Sequence, residues 1–101
     1  MTDKSSLHLL AIGYHTEIME VVHRLINKHE GWIGTIAGSL PEALALLQQH
    51  PYDGILLCAG VNTADEAQIK HAIAHQNTRI IRHYGGGSGL LENEIRIAFF
   101  I

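Results

Sequence analysis

Three groups of residues could carry chemistry in this chain. Gly85-Gly86-Gly87-Ser88-Gly89 is the first, because glycines let backbone N–H groups close on an anion and a helix starting after them favours negative charge. It has neither the Lys-Ser/Thr ending of a P-loop nor the spacing of a dinucleotide fingerprint, and a tight turn needing positive φ accounts for it nearly as well. The second group is Cys58 with His15 and His83, joined by Tyr14 and Tyr84. A cysteine and two histidines suit zinc, or a thiolate activated by imidazole. A cysteine between Leu57 and Ala59 equally suits a small buried hydrophobe. The third is His71 with His75, four apart as in a helical metal pair, within a chain of eight histidines. Both fall opposite Ile69 and Ile73, which makes them residues of a solvated face.

The first two groups meet only if the chain alternates strand and helix. Leu7 to Ile12 is a nearly continuous apolar run, as a parallel strand covered on both faces requires. From Glu17 to His29 apolar residues recur at helical spacing, with Ile18, Val22, Leu25 and Ile26 inward, Thr16 as N-cap and Gly31 as the stop. Trp32 to Ala37 reads as a strand. Ser39-Leu-Pro-Glu42 has capping-box spacing and opens a helix burying Leu40, Leu44 and Leu47. Gly54 to Ala59 is a third strand, and Thr63-Ala-Asp-Glu66 opens a helix to about His75 with Ile69, Ala72 and Ile73 inward. Thr78 to His83 is the fourth strand. Right-handed crossovers then give helices on both sides of a parallel sheet of order 2-1-3-4, a three-layer α/β/α sandwich.

The C-terminal segment carries two periods. Ile95, Ile97, Phe99 and Ile101 alternate as in a strand, while Leu91, Ile95 and Ala98 suit a helix. A fifth parallel strand needs a crossover of about a dozen residues, more than Gly85 to Asn93 supplies, so a helix over Ser88 to Ala98 is expected. In that arrangement His15, Cys58, His83 and the glycine run gather beyond the C-terminal ends of the strands, where open α/β sheets bind ligands.

Several of these residues are similar to those of bacterial response-regulator receiver domains. Tyr52, Asp53, Ile55, Leu56 and Leu57 resemble the approach to the receiver phosphorylation site, with Cys58 where the phospho-accepting aspartate would stand. Leu9 to Ile18 resembles the receiver opening, with Gly13 and Tyr14 in the places of the acidic pair that holds magnesium. Thr35 to Asp53 resembles the second strand, second helix and lead into the third. Thr78 to Gly85 resembles the fourth strand, with Arg82 or His83 near the family's Ser or Thr. The resemblance covers residues 7 to 84 and implies a receiver-like domain without its fifth βα unit or late lysine. It also implies that phosphoryl transfer by the receiver mechanism has lost its nucleophile, metal site and charge stabiliser.

Composition sets the remaining expectations. With 101 residues and 47% hydrophobic content, one domain spanning 1–101 with a real core is expected. A single cysteine excludes an internal disulfide framework and suits the cytoplasm. No apolar run reaches the roughly 20 residues of a membrane span, and no signal-peptide pattern opens the chain. A net charge of −3 with scattered Lys and Arg gives no nucleic-acid footprint.

The expected function is a non-enzymatic, receiver-like regulatory or protein-interaction module, without a cofactor or bound metal. It is expected to form a homodimer through the fourth strand, the last helix or the apolar tail Ala98-Phe99-Phe100-Ile101, and to have a protein partner the residues do not identify. The alternative is a domain binding a phosphate-containing small molecule through Gly85 to Gly89, by analogy of fold alone. A cysteine enzyme resembling phosphotransfer IIB components fits less well, because their cysteine ends the first strand.

Overall fold

A computed structural model describes residues 6–83 and 88–101. The elements run β1 (Leu7–Ile12), α1 (Thr16–Lys28), β2 (Trp32–Ala37), α2 (Leu40–Gln49), β3 (Gly54–Leu57), α3 (Thr63–Ala72), β4 (Arg79–Arg82) and α4 (Ser88–Phe99). All strand pairs are parallel and the sheet order is β2-β1-β3-β4, the expected three-layer α/β/α arrangement. The C-terminal segment is the expected helix, one residue longer than its period indicated.

Strand alternation divides the core in two. Leu10, Ile12, Ile55 and Leu57 face α2 and α3, where Ala43, Leu47, Ile69 and Ile73 meet them. Leu9, Ala11, Leu56, Cys58 and Ile81 face the other way, against Met19, Val22 and Ile26 of α1 and Leu91 and Ile95 of α4. Burying a side chain the size of Leu91 or Ile95 completely contributes about 1.5–3 kcal/mol. These two residues therefore hold α4 on the α1 face.

Local chemistry explains most element ends and corrects several expectations. Ser39 Oγ accepts from the Glu42 amide at 3.2 Å, and Glu42 reaches back to the Gly38 amide at 2.9 Å rather than to the cap itself. For α3 the cap is Asn62, whose Oδ1 accepts from the Asp65 amide at 2.8 Å, so Thr63 lies inside the helix. A carboxamide is as good an N-cap as a hydroxyl. On α1 the N-cap position falls to His15, which makes no side-chain cap bond, and Thr16 is the first helical residue. Met19, not Ile18, fills the inner face there, while Ile18 stays 38% exposed. Phasing also moves Ala43 inward on α2, leaving Leu40 and Leu44 half-buried, and leaves Ala72 exposed on α3.

Candidate functional site

Beyond the C-terminal ends of the strands, packing decides what the described residues can do. After β1, Gly13 lies where a side chain has no room: an added Cβ would stand 2.4 Å from the Met19 sulfur and 3.0 Å from Cys58 Cβ. Tyr14 then crosses the rim. Its amide donates to Ala59 O at 2.9 Å, its hydroxyl donates to Asp65 Oδ2 at 2.8 Å, and its ring covers Gly60, which sits at φ 96°. Burial, reinforced by the bond and charge of Asp65, pushes the phenol up to about 12. Tyr14 is thus a neutral strut between β1 and α3.

Cys58 continues β3 by one residue, its amide donating to Ile12 O at 2.8 Å. The side chain is 2% exposed, and its only hydrogen-bond acceptor among the described residues is Leu56 O, 3.9 Å from the sulfur. Burial, followed by the charge of Glu94 and partly offset by Arg82, pushes the thiol up to about 12. A thiolate nucleophile needs the opposite setting. Cys58 behaves as part of the core.

Arg82 and His83 end β4 on opposite faces. Arg82 turns toward α3, where its guanidinium pairs with Glu66 and donates to Val61 O at 3.1 Å. His83 turns toward α4, where its Nδ1 lies 2.6 Å from Glu94 Oε1 with the imidazole 6% exposed. Its amide donates to Leu57 O at 2.9 Å, which makes it the neighbour of Cys58 across the strands. Both residues, with Ile18, Gly60, Val61 and Arg82, wall a depression of about 260 Å³.

The rim therefore brings together Cys58 and His83, and sets Tyr14 beside them over Gly60. His15 does not join them; it is exposed at the start of α1. Gly85, Gly86 and Gly87 lie outside the described residues, as does Tyr84. Ser88 is the first residue of α4 and Gly89 the second, with open space beside the latter. His71 and His75 are both exposed, as expected of a solvated face, but α3 ends at Ala72 with Ile73 as its cap, short of the expected His75. Among the described residues no three His, Cys, Asp or Glu side chains form a cluster able to hold a metal. No described helix is long and apolar enough to cross a membrane.

Asp65, Glu66 and Glu94 were not expected at this rim. Glu66 reads from sequence as the acid of a capping box opened by Thr63, and both it and Asp65 lie in the first turn of α3; that they also reach Tyr14 and Arg82 depends on the strand register. Glu94 could be found only by phasing α4 on Leu91 and Ile95, which brings residue 94 toward the end of β4. No protein-family model matches this chain, and no curated protein or solved structure matches it.

Proposed function

We propose that this chain is a non-enzymatic, receiver-like regulatory or protein-interaction module, acting as a homodimer and not phosphorylated by the receiver mechanism. One observation carries the reading: the space around Gly13 is filled by the Met19 sulfur and Cys58. In a receiver-like domain the acidic pair and the nucleophile would converge there. Filling it with apolar groups removes the charge that phosphoryl transfer requires and leaves the scaffold intact. The polar groups around it are engaged with one another, Tyr14 with Asp65, Arg82 with Glu66 and His83 with Glu94. Incubation with Mg²⁺ and acetyl phosphate, read by intact mass, yields no phosphoryl adduct on this reading; a stoichiometric adduct would refute it.

The second reading, a site for a phosphate-type anion at Gly85 to Gly89, draws support from the start of α4 at Ser88, because the glycine run then leads into a helix N-terminus. Thermal unfolding with inorganic phosphate and nucleotides separates the two. An anion that binds only the native state raises Tm with concentration, whereas the interaction module leaves Tm unchanged.

A further inference from the structure

The two edges of the sheet are finished differently. At the β2 edge, the Asn27 carboxamide accepts from the Gly34 amide at 3.0 Å and donates to Gly34 O at 3.1 Å. A side chain thus occupies the main-chain groups that another strand would use, one way proteins protect an edge. At the other edge, Arg79 and His83 donate inward to β3, so the main chain at Ile80 faces away from the sheet. Among the described residues no strand lies beyond β4.

Helix α4 shows what sits over that open edge. Leu91 and Ile95 face the sheet. Glu92 pairs with His29 at 3.2 Å and Arg96 lies over the Trp32 ring, so this side of the helix faces α1. At about 100° per residue, Leu90 and Ile97 form a single stripe on the opposite flank, above β4, and are 47% and 68% exposed. Crossover handedness limits what could cover them. A helix on the α1 face, like α1 itself, leads right-handedly toward the β2 side. A strand following α4 in this chain would therefore not be placed beside β4.

We infer that a second copy of this chain occupies this edge, the two β4 strands pairing antiparallel about a two-fold axis so that the α4 helices pack through Leu90 and Ile97. This inference rests on the homodimer reading above and specifies its interface. The axis must stand perpendicular to the sheet, because only then does the α1/α4 layer of one copy continue into that of the other. In the register that places Ile81 opposite itself, Arg79 lies across from the second copy's His83 and the Glu94 carboxylate beside it. Opposite charges then face each other twice, related by the axis. The antiparallel α4 helices set Leu90 of one copy against Ile97 of the other, with Asn93 near the axis.

Sedimentation velocity on the purified chain tests the inference. The wild type is dimeric, and Ile97→Asp or Leu90→Asp weakens the dimer at least 10-fold with unchanged circular dichroism, because both side chains are on the surface. Asn93→Cys forms a disulfide-linked dimer under mild oxidation, whereas Glu20→Cys on the outer side of α1 does not; Cys58 is buried and does not compete. A wild-type dimer indifferent to both Asp substitutions and to Asn93→Cys would overturn this interface while leaving homodimerisation standing. A wild type that is monomeric at every concentration would overturn both.

Discussion

The rim of the sheet and its β4 edge use similar residues to opposite ends. At the rim, four groups with chemical potential are engaged with their neighbours: Cys58 is buried in the core cluster that includes α4 residues, Tyr14 is bonded to Asp65, and Arg82 and His83 are paired with acids. At the edge, apolar side chains are turned outward, with Ile97, Phe100 and Ile101 at 68%, 84% and 59% exposure. A monomer gains nothing from the second arrangement, whereas an interface does. The strand-end residues are thus spent on packing and pairing, whereas the last helix presents the apolar surface that the proposed homodimer would use.

The largest effect is expected from placing an acid at the rim. Gly13→Asp forces a carboxylate into the space of Met19 and Cys58, which combines overpacking with an unpaired buried charge. The expected loss is at least about 3 kcal/mol, a fall in Tm of more than about 12 °C for a domain of this size, measured by calorimetry. A stable variant that binds Mg²⁺ would show the rim to be roomier than its packing indicates. Asn27→Ala comes next, because it removes two bonds to Gly34 and opens the guarded edge. It costs about 1–2 kcal/mol, measured by urea denaturation, and raises self-association in light scattering.

A smaller effect concerns the exposed end of α4. Phe100 has φ 59°, with Ile101 N bonded to Arg96 O at 3.0 Å and Phe100 N to Ile97 O at 3.4 Å. This is a Schellman closure with phenylalanine at the position that favours glycine. Phe100→Gly relieves the left-handed strain and stabilises the monomer by about 0.5–1 kcal/mol, read as a higher urea midpoint. The smallest effect is electrostatic. Lys70 and then Arg82, working against desolvation, hold the Glu66 carboxyl below its ordinary value of 4.5. A folded value below the unfolded one gives stabilisation that is complete above the unfolded value and lost as pH falls through the folded one. Lys70→Ala therefore flattens the loss of stability below about pH 4, seen as a smaller fall in Tm on acidification.

How much of this was legible in the sequence follows from where each signal resides. The four βα units, the sheet order and the final helix were readable because Leu7 to Ile12, the Ser39 cap and the short Gly85 to Asn93 segment act locally or through connection length. The exchange of Ile18 for Met19 on the inner face of α1 was not, because it depends on how the helix meets Gly13. At the candidate site, Cys58 and His83 were correctly placed together by topology, yet their burial and the reach of Glu94 arise only when α4 docks. His71 and His75 lie on the exposed face expected of them, but the end of α3 at Ala72 rather than about His75 is not legible in those residue types, because nothing in them shows that Ile73 ends the helix.

The central claim is that Cys58 is a buried, protonated core thiol, and native-state alkylation tests it most directly. With iodoacetamide at pH 8, followed by intact mass, a thiol buried in the same core cluster as Leu91 and Ile95 and pushed up to about 12 reacts only in step with unfolding, and promptly once urea is added. Rapid, stoichiometric modification of the folded protein would contradict the account, because it would show a reachable thiolate where the side chain is 2% exposed.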